Sequence, residues 1–243
     1  MSLVVDTPVE FAGFAATSFV HRTMTVPSGT ELLVALVDEA SGSHFAVSGI
    51  TWNSVALTRW HRGSDTVNQA WAEIWYLVNP TPGVAGDIDF TFEGNVAGQC
   101  GAITVSGGVD TATPFRNAGQ TATGSGPTQP TITVNSATGD IAISCVCDNE
   151  NAVDTLAEAN GQTIIYNNDG DSGNVAGAGG YKAGATTVVM GYTGLTAAAP
   201  WVMVGASIQP TGGGGGGGSA QAGWPFASNE EAPTKAPMLG GIF

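Results

Sequence analysis

The sequence has little charge and very few basic residues. Only 11% of its 243 residues are Asp, Glu, Lys or Arg, and 20 acids against six Lys and Arg give a formal net charge of −14. Because phosphate backbones and anionic lipid surfaces are bound by clustered Lys and Arg, this composition argues against a nucleic-acid or membrane partner. Hydrophobic residues make up 42% of the chain, and that fraction predicts a packed core rather than intrinsic disorder.

Long hydrophobic runs are missing too. No stretch approaches the roughly 18 uncharged apolar residues of a membrane span, and Met1–Asp6 has neither the basic nor the apolar region of a signal peptide. We therefore expect a protein that is made in a cytoplasm and is not inserted into a membrane.

Cysteine is scarce, and three cysteines cannot form a closed disulfide framework. Cys145 and Cys147 alternate with Ile141 and Ile143, so in a strand all four side chains share one face. This pattern predicts small buried core residues, and Cys100 beside another apolar run is expected to be buried as well. A zinc site would need two further ligands.

Catalytic motifs are equally hard to find. The three histidines are His21, His44 and His61. None of them lies near a Gly-x-Ser-x-Gly turn or shows the spacing of a zinc-binding pair, and no glycine-rich phosphate loop opens a helix. We therefore predict a protein that is not an enzyme and that requires no cofactor.

Short runs of alternating or β-branched apolar residues recur along the chain, separated by Gly, Pro, Asn, Asp and Ser, whereas helical periodicity is almost absent. The predicted strands are Ser18–Val26, Glu31–Asp38, Val47–Trp52, Val55–Trp60, Ala70–Val78, Asp87–Phe92, Gly101–Ser106, Thr131–Val134, Asp140–Cys147, Gln162–Tyr166, Thr186–Tyr192 and Trp201–Gln209. Strands of this number and spacing are typical of an all-β, antiparallel two-sheet β-sandwich of jelly-roll type.

Local patterns refine this prediction. In Asp87–Phe92 one strand face carries Ile and Phe and the other carries Asp and Thr, which indicates a sheet with one dry and one wet side. Asn53-Ser54 is expected to form a short hairpin turn. Thr111–Gln129 is expected to be a long surface connection, and Asn151–Asn160 to be the one segment able to form a helical turn. No internal repeat of fixed period is visible.

The composition changes at Pro210, and we predict a β-sandwich domain over residues 1–211, a poly-Gly linker over 212–218 and an extended tail over 219–243. Seven consecutive glycines lose too much backbone entropy on ordering to hold a strand or helix. Apolar anchors on such a tether are typical of a docking peptide that orders on another chain; folding back on its own domain and an idle tail are the alternatives. The predicted partner-binding anchors are Trp224, Phe226, Met238, Leu239, Ile242 and Phe243.

Two further groups are candidates for binding. Trp71, Glu73 and Trp75 share a strand face by parity, so they could form a sugar-stacking platform, or instead a core or inter-subunit aromatic ladder. Asn167, Asp169 and Asp171 place oxygen side chains at alternate positions among glycines, which would suit Ca²⁺; a turn-rich solvent loop would have the same composition.

The order of several motifs resembles that of a jelly-roll-like β-sandwich domain found in tailed-phage virion proteins and in large bacterial surface proteins. The similarity covers roughly residues 15–210, and the motifs that carry it are Leu32–Val37, Ile50–Thr58, Glu73–Pro80, Asp87–Phe92, Gly101–Asp110 and Trp201–Pro210. This resemblance implies a structural or adhesive role without a catalytic motif.

Two functional hypotheses follow from the resemblance and the tail. The first is a non-enzymatic phage virion protein, used in capsid decoration, as a head fibre or in association with the tail, and assembled in the host cytoplasm. Its partners would be other virion proteins and its own copies as a homo-oligomer. The second is a carbohydrate-binding module or adhesin for host-surface glycans, with Trp60, Trp71 or Trp75 as sugar contacts and Ca²⁺ as its ion.

Overall fold

The computed structural model describes residues 2–6, 8–40, 46–65, 69–83, 85–125, 128–149, 156–168, 175–195 and 200–212. Within these ranges the chain forms antiparallel β-sheets that pack face to face, which confirms the predicted all-β sandwich class. The strands are β1 (Val4–Val5), β2 (Val9–Thr25), β3 (Leu32–Ala40), β4 (Val47–Trp52), β5 (Val55–Ala56), β6 (Thr58–Ser64), β7 (Ala70–Val78), β8 (Ala85–Ser106), β9 (Gln120–Ser125), β10 (Thr131–Asn135), β11 (Ile141–Asp148), β12 (Ala157–Glu158), β13 (Thr163–Asn168), β14 (Ala176–Ala183), β15 (Thr187–Thr193) and β16 (Pro200–Ile208). No helix among the described residues has the length and hydropathy needed to cross a bilayer.

The N-terminal half, from β1 to β8, is one sheet folded back on itself. Its inner layer has the strand order β6-β7-β3-β8-β2, and its outer layer has the order β5-β4-β8-β2. β2 and β8 belong to both layers because they are long and because the pairing of β2 with β8 shifts register three times between Phe11 and Phe19. Register shifts of this kind bend and twist a strand, which lets one strand turn from one layer into the next.

The C-terminal half, from β9 to β16, has the same topology. Its inner sheet has the order β13-β14-β11-β16-β9 and its outer sheet the order β10-β15-β12. Two separate strands, β9 and β10, take the place that the long strand β2 has in the N-terminal half. In the same way β15 and β16 take the place of β8. The repeat lies in the strand pairing and not in residue identity, since Leu36 of β3 and Cys145 of β11 hold equivalent central places. This is why no repeat of fixed period is visible in the sequence.

The two halves pack through their inner sheets, and the contacts between them are reciprocal. β6 contacts β9 as β13 contacts β2, and β7 contacts β16 as β14 contacts β8. Matched pairs of contacts of this kind are typical of a two-fold, isologous interface, which here is formed within one chain. The apolar core between the inner sheets includes Leu32, Val34, Leu36, Ile74, Ile103, Ile141, Ile143, Cys145, Val202 and Val204.

Each half also has its own core between its inner and outer layers. In the N-terminal half Val37 and Trp75 pack against Trp52 and Phe90. In the C-terminal half Val146 of the inner sheet belongs to the same core as apolar side chains of the outer sheet, namely Ile132, Val134, Val188 and Met190. Three apolar layers therefore lie between four layers of sheet, and they explain why so many of the strand residues are buried.

Several local predictions are confirmed. Cys145 and Cys147 lie on the same face of β11 as Ile141 and Ile143, in the core between the halves, and Cys100 is also fully buried. In β8 the apolar residues of Asp87–Phe92 are buried while the alternate positions face outward. These predictions succeeded because side chains alternate strictly between the two faces of a strand.

Other segments differ from their predictions. The segment 111–129, expected to be a surface connection, contains β9, and β14 was not predicted because its sequence Ala-Gly-Ala-Gly-Gly lacks β-branched residues. The two predicted strands Asp87–Phe92 and Gly101–Ser106 are parts of the single strand β8. Ala157–Glu158, expected to belong to a helical turn, is the short strand β12.

The hairpin at Asn53-Ser54 is confirmed, and it provides a first test. Both residues have positive φ, 46° for Asn53 and 67° for Ser54, which is the backbone of a type I′ turn. A left-handed conformation costs a non-glycine residue about 1 kcal/mol. We therefore expect Ser54→Gly to raise the free energy of unfolding by about 0.5–1 kcal/mol, measured by urea denaturation; a loss of stability would contradict this assignment of the turn.

Candidate functional site

Three fully buried carboxyl groups lie close together at one end of the N-terminal inner sheet. Asp38 and Glu39 are near the end of β3 and Glu73 is in β7, and each has 0% of its surface exposed. Carboxylates are almost never fully buried unless they are paired. Together with Arg62 of β6 these groups are called the acid cluster below.

Glu73 is the member of the cluster that has a cation. The Arg62 guanidinium donates to Glu73 Oε1 from Nε at 2.7 Å, and the Trp75 indole donates to Glu73 Oε2 at 2.7 Å. The other end of the guanidinium donates to the carbonyl oxygen of Val47 at 2.7 Å. Burial raises the pKa of Glu73 from its ordinary value, and Arg62 opposes that shift.

Glu39 shares this site without a cation of its own. The backbone N–H of Val47 donates to both Glu39 Oε1 and Glu73 Oε1, at 3.3 Å in each case, so the two carboxyls share one donor. Burial, and then the neighbouring charge of Glu73, hold the pKa of Glu39 well above its ordinary value. One guanidinium balances one carboxylate, so ionisation of the second carboxyl of this pair is disfavoured.

Asp38 points the opposite way, into the interface between the halves. Its carboxyl lies directly against Gly177 of β14, where an added Cβ would be 1.8 Å from Asp38 Oδ2. Burial raises the pKa of Asp38 well above its ordinary value, and the nearby Tyr166 hydroxyl and Gln99 backbone oppose that shift. Neither oxygen of the Asp38 carboxyl makes a hydrogen bond of ordinary geometry to a described residue. The carboxyl is therefore neutral where a carboxylate would be ionised in water.

Polar contacts across the interface surround the acid cluster. The Cys147 thiol donates to the carbonyl oxygen of Glu39 at 3.4 Å, and the Cys145 thiol donates to that of Glu73 at 3.5 Å. Burial raises the pKa of both thiols well above the ordinary value, so they stay protonated as donors. Reactive cysteines need accessible thiolates. These buried, protonated thiols therefore act as hydrogen-bond donors and not as nucleophiles.

The opposite end of the interface carries the segment 107–119, which joins the two halves and is called the connecting segment below. Glu31 Oε2 accepts hydrogen bonds from the backbone N–H groups of Gly108 and Val109, both at 2.7 Å. On the other half, Asp140 accepts from Arg116 Nε at 2.5 Å and from Arg116 Nη2 at 2.6 Å. One carboxylate from each half therefore fixes the connecting segment.

The chain leaves the sandwich beside this segment. Pro210 forms a β-bridge with Val109. The Thr211 N–H donates to the carbonyl oxygen of Gly108 at 2.7 Å, and its hydroxyl contacts the Gly108 and Val109 carbonyls at 3.1 and 3.0 Å. The point from which the poly-Gly segment starts is thus held in a fixed place at the junction of the two halves.

The structure places the candidate sugar platform inside the protein. Trp71, Glu73 and Trp75 do share one face of β7, but Glu73 is fully buried and Trp75 is only 6% exposed. Trp71 is half-buried beneath the Arg62 guanidinium, which lies 5.4 Å from the centre of its ring. Glu73 and Trp75 therefore hold the core position that was the alternative prediction, because the outer layer of the same half covers them. Whether Trp71 contacts a glycan stays a prediction.

The other predicted site residues fall largely outside the described part of the chain. Asp169 and Asp171 do so, as do the six tail anchors Trp224, Phe226, Met238, Leu239, Ile242 and Phe243. Asn167 lies in β13, paired with Ala178. Within the described residues no group of three or more His, Cys, Asp or Glu side chains is arranged to hold a metal ion.

Two of the three histidines are described, and both make surface contacts. The His21 ring lies 2.6 Å from Asp89 and 3.6 Å from Asp87 on the outer face of the N-terminal half. His61 Nε2 lies 2.8 Å from the Thr121 hydroxyl, where β6 meets β9, and burial lowers the pKa of His61. His44 lies outside the described residues. The two described rings thus hold strands together on the surface.

Sequence reasoning missed the roles of Asp38 and Glu39. The only signal was that two acids continue the apolar run Leu32–Val37 without an intervening Gly, Pro or Asn. Such acids normally mark the end of a strand, but β3 runs on to Ala40. Their burial depends on β7 and β14, which are brought against them only by the fold.

Comparison of the chain with protein-family models, with curated proteins and with solved structures finds no match. The resemblance to phage virion domains therefore stays a hypothesis, and the functional argument depends on the residues described above.

Proposed function

We propose that this chain is a non-enzymatic structural protein of a phage virion, acting in capsid decoration, as a head fibre or in association with the tail, and anchored to neighbouring subunits through residues 219–243. The observation that carries the proposal is the fixed exit of the chain at Thr211. Its hydrogen bonds to Gly108 and Val109 hold the start of the poly-Gly segment against the junction of the two halves.

The body supports this role because its two halves share one continuous core. The core between the inner sheets contains residues of β3, β7 and β8 together with residues of β11 and β16. A continuous, fully buried core of this kind resists relative motion of the halves. A force applied at Thr211 is therefore transmitted to both halves through the connecting segment, which suits a load-carrying particle component.

The tail supplies the chemistry of attachment. Its six large apolar and aromatic anchors are the residue types that dominate binding energy at protein interfaces, and the poly-Gly segment separates them from the body. The partner that fits such a tail is an apolar groove on another virion protein or on another copy of this chain.

Deleting residues 219–243 is expected to abolish incorporation into particles while leaving the thermal unfolding of the body unchanged. Incorporation is measured by quantifying the protein in purified particles from infected cells that supply either the full or the truncated chain. As matched variants of the full tail, Trp224→Ser with Phe226→Ser should reduce incorporation at least tenfold, whereas Glu230→Gln with Glu231→Gln should have little effect. Truncated protein present in particles at the level of the full chain would refute the proposal.

A further inference from the structure

We propose that the Asp38 carboxyl is a pH-sensitive latch between the two halves, which holds the far end of their interface closed while it is protonated and releases that end when it ionises. The far end is the end remote from the connecting segment, where β3 reaches Ala40 and β11 reaches Asp148. The proposal concerns a property of the body and does not rest on the proposed attachment to a virion.

The geometry places the latch across the interface. Asp38 of the N-terminal half lies against the Cα of Gly177 in the C-terminal half. The Cys147 thiol of the C-terminal half donates a hydrogen bond to the backbone carbonyl oxygen of Glu39 at 3.4 Å. Farther along the same end, Gln99 Nε2 reaches the carbonyl oxygen of Val175 at 3.5 Å. A change of charge on β3 therefore acts directly on β11 and β14.

The charge at this end does not balance once Asp38 ionises. In the described part of the chain Arg62 offsets one negative charge, that of Glu73, and Glu39 shares that site on the opposite face of the sheet. Ionised Asp38 would therefore leave an uncompensated buried negative charge at the interface, which is strongly unfavourable. Among the described residues, the other titratable or charged groups that interact with the cluster are Cys145, Cys147 and Asp148 on β11, Tyr166 on β13, Tyr192 on β15, Cys100 on β8 and, acting on Cys100, Arg22 on β2.

These neighbours do not replace the missing cation. Burial raises the pKa of the three thiols and of the two tyrosine hydroxyls, so all five are neutral at the pH at which carboxyls titrate. Asp148 contributes a further carboxyl on the C-terminal side. At the near end, by contrast, the Asp140 carboxylate is matched directly by the Arg116 guanidinium.

The direction of the pH effect follows from proton linkage. The folded pKa of Asp38 lies above its ordinary value of 3.8, so the closed latch binds one proton more than the open one. The stabilisation is complete below the ordinary value and is lost as the pH rises towards the folded pKa. The proton released on opening makes the opening equilibrium up to about tenfold more favourable per pH unit.

Native-state hydrogen exchange of the full chain between about pH 5 and pH 8, corrected for intrinsic exchange, tests the latch. The far-end amides 37–40 and 145–148 are compared with the near-end amides 32–34 and 141–143. With one proton released we expect the opening constant of the far end to rise up to about tenfold per pH unit, and we expect the far end to open at a lower free energy than the near end. Constant protection of the far end, or far-end amides that open only together with the near end, would overturn the proposal.

Variants that cannot ionise at position 38 complete the test. Asp38→Asn should remove the pH dependence of far-end exchange, and Glu93→Gln, an exposed position on β8, should leave it unchanged. If Asp38→Asn does not fold, Asp38→Ala, which also removes the proton, should show the same loss of pH dependence. A full pH response in the Asp38 variant would contradict the latch.

Discussion

Replacing Asp140 with alanine is expected to lower the free energy of unfolding by about 3–5 kcal/mol, the usual cost of removing one partner of a buried ion pair. Asp140 is 3% exposed and accepts two hydrogen bonds from Arg116 at 2.5 and 2.6 Å, one from Ser207 and one from the N–H of Ala137, both at 2.9 Å. The substitution leaves the mostly buried guanidinium without its carboxylate, and it removes one of the contacts that hold the connecting segment to the C-terminal half.

The loss is measured by urea or thermal denaturation, where it corresponds to a decrease in Tm of roughly 10 °C for a protein of this size. The matched control is Asp110→Ala, because Asp110 is an exposed acceptor for Thr113 in the same segment, and its loss should cost less than about 1 kcal/mol. A double-mutant cycle with Arg116→Ala should give a coupling of at least about 1 kcal/mol. Additive effects in that cycle would show that the pair does not fix the segment.

Replacing Gly177 with alanine is expected to destabilise the protein by about 3 kcal/mol, at the upper end of the cost of overpacking a core. The added Cβ would lie 1.8 Å from Oδ2 and 2.3 Å from Cγ of Asp38, which no relaxed structure allows. Asp38 is fully buried between β3 and β14. We therefore expect its carboxyl to make room for the added methyl group only if β3 moves away from β14. The halves would therefore separate at the far end.

The matched control is Gly49→Ala in β4, where nothing lies within 4 Å of the added Cβ and where alanine should be neutral or slightly stabilising. Shortening the clashing side chain by Asp38→Ala should recover part of the stability lost in Gly177→Ala, measured as the midpoint of urea unfolding. If Gly177→Ala were as stable as Gly49→Ala, the close approach of Asp38 to β14 would be disproved.

Local patterns predicted a good part of the fold. The alternation in Asp87–Phe92 and in Ile141–Cys147 predicted both the strands and their buried faces, because a strand places every second side chain on the same side. Asn53-Ser54 predicted the hairpin, since Asn tolerates the left-handed backbone that this turn requires. In each case the information needed lies within a few consecutive residues.

The candidate site was less accessible to such reasoning. The parity of Trp71, Glu73 and Trp75 was correct, but parity does not say whether a face is covered, and the outer layer of β4 and β8 covers this one. Asp38 and Glu39 are two consecutive acids after an apolar run, a pattern that is typical of a strand end exposed to solvent. Whether they meet water or the Glu73–Arg62 pair depends on strands that are distant in the chain.

The sequence by itself determined that this is an all-β protein whose strands have one apolar face, because the period of two is local and each strand carries it independently. Only the tertiary structure decided that the strands form two sandwiches of the same topology packed through their inner sheets, that a glycine-rich segment completes one of them as β14, and that three acids are buried on the two faces of the N-terminal inner sheet. The physical reason is that burial and pKa depend on which neighbours exclude water from a group, and those neighbours come from strands that are distant in the chain.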